Sequence, residues 1–105
     1  MEVLLVDDEQ TVCDAVSGFL RRCGFVVRMA ADGAEALRSL SNDPPGVVIT
    51  DVRMPGMSGL DLLECIRVRS PGTPVIIITG YADLDSTIDA IHLGAYDFMP
   101  KPVRM

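Results

Sequence analysis

Residues 47–59 read VVITDVRMPGMSG, and the change of character within this stretch indicates how the chain folds. It begins with an aliphatic run of the kind found in strands that are buried on both faces of a sheet. Asp51 follows the run, and a loop rich in proline and glycine extends from Asp51 to Gly59. Ser58 and Asp61 have the spacing of a capping box, which marks the start of a helix. The stretch therefore predicts a buried strand, a loop and a helix, in that order.

The same alternation of strand and helix continues along the chain in both directions. Aliphatic runs or helical spacing of apolar residues predict strands at 3–6, 25–27, 47–50, 75–78 and 96–99, and helices at 12–20, 34–40, 62–66 and 84–91. This order predicts an α/β fold with a parallel sheet and helices on both faces. A chain of 105 residues has the length of one domain. In such sheets, ligands bind beyond the carboxyl ends of the strands.

Charge and composition exclude several classes of partner. The formal net charge is -6, and the 9 lysines and arginines form no cluster, which argues against direct binding to nucleic acid or to an anionic membrane. The apolar runs are too short to span a membrane. Cys13, Cys23 and Cys65 form no C-x-x-C pair, so each is interpreted as a buried apolar side chain in a protein of the reducing cytoplasm.

Polar side chains follow four of the five predicted strands. Asp7 and Asp8 follow the first strand, Asp51 the third, Thr79 the fourth, and Lys101 lies near the end of the fifth. Because the carboxyl ends of parallel strands share one edge of the sheet, these side chains are expected to converge. Three carboxylates at close range repel one another unless a cation intervenes. Mg²⁺, which prefers oxygen ligands, is the natural cation for this site.

This set of groups predicts phosphoryl transfer. A carboxylate beside Mg²⁺ can attack phosphorus and form an acyl phosphate. Asp51 is the expected nucleophile, because it follows the central strand and opens the loop, whereas Asp7 and Asp8 would hold the metal. Thr79 would donate a hydrogen bond to a transferring oxygen, and Lys101 would neutralise charge. Taken singly, each residue has an ordinary structural explanation; the prediction rests on the four strand ends together.

Four segments resemble the response-regulator receiver family of two-component signal transduction: residues 6–9 (VDDE), 49–59 (ITDVRMPGMSG), 78–80 (ITG) and 94–102 (GAYDFMPKP). The resemblance runs from Val3 to Pro102. It implies a flavodoxin-like fold with a five-stranded parallel sheet of order 2-1-3-4-5. It also implies that Mg²⁺ is bound by Asp8, Asp51 and the backbone carbonyl of Arg53, with Asp7 nearby.

The resemblance further implies a signalling function. Asp51 would accept a phosphoryl group from a histidine kinase and lose it by slow self-catalysed hydrolysis, so the chain is not expected to be a turnover enzyme. Thr79 and Phe98 would then move and reshape the surface of the fourth helix and fifth strand. An output domain outside this chain, and a second copy in a homodimer, are further expected partners. Residues 79–83 and 94–101 resemble receivers attached to sigma-54-type transcription activators. Arg53 and Tyr81, beside the site, are expected to tune the lifetime of the phosphorylated form.

Receivers of this family end in a fifth helix. Residues 1–105 are therefore interpreted as one receiver domain that is truncated before that helix, with lowered stability or a neighbouring chain covering the exposed face.

Two alternatives remain. One is a pseudo-receiver that binds partners and never takes phosphate. The other is a haloacid-dehalogenase-like phosphatase, which also uses a strand-end aspartate, Ser or Thr, Lys and Mg²⁺. That family needs a second aspartate two residues after the nucleophile, and this chain has Arg53 there.

Overall fold

Strands and helices alternate along the chain as predicted. A computed structural model describes residues 1–79, 92 and 94–100. The predicted fourth helix at 84–91 lies outside these residues. The elements in chain order are β1 (Glu2–Val6), α1 (Gln10–Arg22), β2 (Val26–Ala30), α2 (Gly33–Asn42), β3 (Val47–Asp51), α3 (Gly59–Arg69), β4 (Val75–Thr79) and β5 (Asp97–Pro100).

The strands form one parallel sheet of order β2-β1-β3-β4-β5. This order confirms the expected flavodoxin-like topology. β1 and β3 are neighbours in the middle of the sheet, and their pairing ends with Val6 opposite Thr50. On the other side of β3, the pairing with β4 extends one residue further, to Asp51 opposite Ile78.

Helices cover both faces of the sheet, and this explains the aliphatic runs. Alternate residues of β1 point to opposite faces: Val3 and Leu5 pack in one apolar cluster, and Leu4 and Val6 in the other. α1 contributes Cys13 and Val16 to the first cluster. α2 and α3 contribute Leu37, Leu40, Leu62, Leu63 and Ile66 to the second. Because both faces of the central strands are buried, their sequences are aliphatic except at the strand ends, where Glu2 begins β1 and Thr50 and Asp51 end β3.

Three predictions required correction. β2 covers 26–30 rather than 25–27, because it pairs with β1 as far as Val6 opposite Ala30, and backbone pairing continues past the apolar run. β5 covers 97–100 rather than 96–99. Cys13 is buried as expected, but Cys65 is only partly buried and Cys23 is exposed at the end of α1. Within the described residues, no helix has the length and apolar character needed to cross a bilayer.

Candidate functional site

Three carboxylates meet at the carboxyl edge of the sheet. Asp7 and Asp8 follow β1, and Asp51 is the last residue of β3. Because β1 and β3 are adjacent, one carboxylate oxygen from each of the three residues lies within 4.8 Å of the other two. Asp7 and Asp51 are only 2% and 5% exposed, whereas Asp8 is open to solvent. The site therefore has two buried acids and one accessible acid.

Asp7 is held by the turn between β1 and α1. Its backbone N–H donates to the Ala30 carbonyl at 3.2 Å, and its Oδ1 accepts from the backbone N–H of Glu9 at 2.9 Å. The thiol of Cys13, on α1, donates to the Asp7 carbonyl at 3.4 Å. The N-cap residue of α1 is Glu9, so helix capping does not account for either Asp7 or Asp8.

Asp51 is held by contacts on both sides of its backbone. The hydroxyl of Thr50 donates to the Asp51 carbonyl at 3.0 Å, and the Val52 N–H donates to the Ile78 carbonyl at 3.3 Å. The Gly59 N–H donates to the Val52 carbonyl at 2.8 Å and so closes the loop that follows Asp51. These bonds fix the peptide that carries the acid at the strand end.

The loop after Asp51 leads into α3 through the predicted capping box. The Ser58 hydroxyl accepts from the Asp61 N–H at 3.1 Å, and the Ser58 N–H donates to Asp61 Oδ2 at 3.3 Å. The loop borders a cavity of about 550 Å³, whose lining includes Asp8, Arg53 and Met54. The exposed acid of the cluster therefore borders an open space large enough for a phosphoryl group.

The donor set fits a hard divalent cation. Two unit charges about 4 Å apart interact by about 1 kcal/mol in water and by about 4 kcal/mol at the effective dielectric constant near a protein surface. Three carboxylates within this range therefore favour a cation between them, and carboxylate oxygens are preferred ligands of Mg²⁺. Arg53, whose backbone carbonyl is a predicted ligand, borders the same cavity as Asp8.

Other predicted site residues are described only in part. The backbone of Thr79 ends β4, the strand next to β3, and therefore lies at the same edge of the sheet as Asp51. Phe98 lies in β5, opposite Ile77 of β4. The side chains of Thr79 and Phe98 lie outside the described part of the structure, as do Lys101 and Tyr81 entirely.

Two glycines that hold the loop in place were not identified as such from the sequence. The Cα of Gly59 lies against the backbone of Asp51, and Gly33, at the start of α2, lies against Met57 of the loop. Neither has a positive φ angle, so neither belongs to a turn that demands glycine. Gly59 ends the segment 49–59 that carries the family resemblance, but the steric role of either glycine depends on close tertiary contacts that the residue pattern does not show.

The comparison with known families agrees with this geometry. Residues 3–105 match the model of the response regulator receiver domain. The chain belongs to this family. The acid cluster of this receiver domain lies at the carboxyl edge of β1 and β3, where the family resemblance leads us to expect the phosphoryl-accepting site.

Its relatives include two transcriptional regulators. The receiver domain is 44% identical over 100 residues to the C4-dicarboxylate transport transcriptional regulatory protein DctD of Rhizobium meliloti, covering 95% of this chain and 22% of that protein. It is 41% identical to the DNA-binding transcriptional regulator NtrC of Escherichia coli, covering 95% of this chain and 21% of that protein. The chain thus spans about a fifth of the length of these curated relatives.

Solved structures show the same fold. The receiver domain of NtrX from Brucella abortus superposes with a TM-score of 0.93 at 36% identity, covering 97% of this chain and 87% of that chain. A receiver domain protein from Clostridium thermocellum gives a TM-score of 0.93 at 38% identity, covering 98% and 83%.

Proposed function

We propose that this receiver domain is a signalling switch that accepts a phosphoryl group on Asp51 from the phosphohistidine of a histidine kinase. The observation that carries the proposal is the meeting of Asp7, Asp8 and Asp51, with one oxygen of each within 4.8 Å of the others, at the end of the central strands. Membership of the receiver family and the fit of these oxygens to Mg²⁺ support it.

The transfer is a displacement at phosphorus. A carboxylate oxygen of Asp51 forms a bond to phosphorus, and the bond from phosphorus to the imidazole nitrogen of the donor breaks. The electron pair of the broken bond stays on that nitrogen, which takes a proton from solvent. The product on Asp51 is an acyl phosphate, which water later hydrolyses to restore the carboxylate and release inorganic phosphate.

Asp7, Asp8, Asp51 and the backbone carbonyl of Arg53 are proposed to hold Mg²⁺. When bound, Mg²⁺ neutralises charge on the transferring phosphoryl oxygens. The buried turn around Asp7 fixes one carboxylate, and the Thr50 and Val52 hydrogen bonds fix the backbone of Asp51. Lys101 is proposed to add a positive charge, and Thr79 a hydrogen bond to the bound phosphoryl group.

The consequence of phosphorylation is proposed to be a change of binding surface, through movement of Thr79 and Phe98. Because two relatives are named transcriptional regulators, we propose that the output is a transcription activator domain of the sigma-54 type outside this chain, acting in the cytoplasm. A homodimer is a further proposed state. The domain is proposed to be a phosphotransfer substrate with slow self-dephosphorylation rather than a turnover enzyme.

The test is incubation with acetyl phosphate and Mg²⁺, followed by intact-mass measurement. The wild-type chain should gain one phosphoryl group, and Asp51→Asn should gain none. Asp14→Asn is a matched control, because Asp14 lies exposed on α1, where it binds Gln10, outside the acid cluster. It should be phosphorylated like the wild type.

The same experiment tests the first alternative, and a turnover assay with a phosphomonoester tests the second. A wild-type chain that gains no mass at any Mg²⁺ concentration would be a pseudo-receiver. Continuous release of phosphate from a phosphomonoester would indicate a phosphatase. The arginine at position 53, where that class of enzyme needs an acid, argues against the phosphatase.

A further inference from the structure

Gly59 leaves no space for a side chain above the backbone of Asp51. A β-carbon built on Gly59 would overlap the carbonyl oxygen of Asp51, and would lie 2.9 Å from its carbonyl carbon and 3.0 Å from the α-carbon of Val52. All three atoms belong to the backbone, so no flexible side chain can move aside. Position 59 therefore excludes every residue except glycine, unless the backbone on one side of the contact shifts.

The requirement at position 59 is steric and does not arise from the backbone conformation. Gly59 is the first residue of α3, and its φ is not positive. Alanine has a higher helix propensity than glycine, so the helix itself would favour alanine here. The contact with Asp51 is what makes glycine necessary.

The two sides of the contact are not equally rigid. α3 is fixed by Leu62, Leu63 and Ile66, which are at most 1% exposed in the apolar cluster beneath it. Moving the helix outwards would open this core. Asp51 is the last residue of β3, and in the strand register it lies opposite Ile78 of β4, while the pairing of β3 with β1 has already ended at Thr50. The peptide after it is held by single hydrogen bonds, from Thr50 to the Asp51 carbonyl and from Val52 to the Ile78 carbonyl. A side chain at position 59 would therefore displace the peptide after Asp51 rather than the helix.

We propose that Gly59 is a positioning residue for Asp51: its missing side chain lets the Asp51–Val52 peptide adopt the orientation that brings the Asp51 carboxylate to Asp7 and Asp8. The inference rests on the proposed function, since it concerns the same Mg²⁺ and phosphoryl site. It adds a residue that touches neither the metal nor the phosphoryl group.

The hydroxyl of Thr50 holds the Asp51–Val52 peptide through a hydrogen bond. Its side chain is fully buried, and its hydroxyl donates to the Asp51 carbonyl oxygen, the atom that a β-carbon on Gly59 would overlap. Thr50→Val removes this hydrogen bond with almost no change of shape. It therefore disturbs the orientation of the peptide without adding bulk to it.

The test compares Gly59→Ala, Thr50→Val and the control Gly72→Ala with the wild type. A β-carbon added to Gly72 would meet no atom within 4 Å, and the φ of Gly72 is not positive, so alanine fits there without strain. Three quantities are measured: the Mg²⁺ dissociation constant by calorimetric titration, the urea midpoint without metal, and hydrogen exchange of the Val52 N–H. The first reports on the site, the second on the fold, and the third on the displaced peptide.

Gly59→Ala should raise the Mg²⁺ dissociation constant about tenfold, the scale seen when groups that orient a metal ligand are lost. It should also speed exchange of the Val52 N–H, which donates to Ile78, and slow phosphorylation by acetyl phosphate. Thr50→Val should change the same quantities in the same direction by less. Gly72→Ala should match the wild type.

Wild-type Mg²⁺ affinity and Val52 exchange in a folded Gly59→Ala chain would overturn the inference. If Gly59→Ala does not fold, Thr50→Val decides: a wild-type dissociation constant in that variant overturns it equally. A wild-type chain that binds no Mg²⁺ and takes no phosphoryl group would instead contradict the proposed function itself.

Discussion

The side chain of Met57 lies against the α-carbon of Gly33 and so joins the loop after Asp51 to the start of α2. A β-carbon on Gly33 would lie 2.8 Å from the Met57 sulfur, 3.0 Å from its β-carbon and 3.1 Å from its γ-carbon. Gly33 is buried and Met57 is partly buried. The loop after Asp51 is thus fixed at two places: it joins α3 at Gly59, and Met57 packs against the start of α2.

Gly33→Ala should lower the free energy of unfolding by about 1 kcal/mol, because the added methyl group forces Met57 out of its place. Met57→Ala removes the sulfur and the γ-carbon and leaves only the β-carbon contact at 3.0 Å, so adding it to Gly33→Ala should cost less than Met57→Ala costs alone. Urea unfolding of the two single variants and the double variant gives this coupling. Strictly additive effects would show that the two residues do not compete for space.

The effect of Asp8→Asn on stability should change sign when Mg²⁺ is added. Without metal, Asp8→Asn should raise the free energy of unfolding by about 1 kcal/mol, because it removes one of three charges at close range. With Mg²⁺ in excess, the wild type gains stability from binding while the variant gains less. Thermal unfolding with and without Mg²⁺ measures both effects. Glu64→Gln, the same charge change on the exposed side of α3, should respond to Mg²⁺ like the wild type.

The capping box of α3 should contribute measurably to stability. Ser58→Ala removes the hydroxyl that accepts from the Asp61 N–H and should cost about 1 kcal/mol in urea unfolding. Ser41 provides a matched control within α2. Its hydroxyl donates to the Leu37 carbonyl, a bond that adds little to a helix, and Ser41→Ala should be neutral or slightly stabilising. Equal losses in the two variants would contradict the capping role.

Arg28 should contribute more to the free energy of unfolding through its hydrogen bonds to carbonyl and hydroxyl oxygens than through its ion pair with Glu2. Its guanidinium reaches the Ser39 carbonyl and hydroxyl and the Asp43 carbonyl, besides pairing with Glu2 at 2.9 Å. Lysine keeps the charge but lacks the planar fork, so Arg28→Lys should cost about 1–3 kcal/mol. Glu2→Gln should cost less than about 1 kcal/mol, because the pair is partly exposed. A larger loss of stability in Glu2→Gln than in Arg28→Lys would contradict this prediction.

The sequence was sufficient to predict a parallel sheet and the acid cluster, for identifiable reasons. Aliphatic runs such as residues 3–6 mark strands buried on both faces, and in parallel sheets the residues after such strands share one edge. Asp7, Asp8 and Asp51 could thus be placed together from the sequence alone. The family resemblance supplied the order of the strands, and the observed pairing of β1 with β3 agrees with it.

Features set by backbone pairing and by packing were not predictable in the same way. β2 continues through Arg28 and Met29, where the apolar run has ended, because its partner β1 continues. Cys23 is exposed although its residue type favours burial, since it lies at the end of α1. The steric roles of Gly33 and Gly59 follow from segments that meet only in the folded chain.

The position of β2 at the margin of the sheet has a consequence for self-association. Its outward backbone groups are free of any neighbouring strand among the described residues, and another polypeptide in extended form could add to them. Arg21, on α1, donates from its guanidinium to the Val27 carbonyl of β2 at 3.2 Å, and this cation beside the strand discourages such an addition. A neutral replacement of Arg21 would therefore favour aggregation through strand joining, a defect that grows with protein concentration and that a melting curve on dilute protein would not reveal.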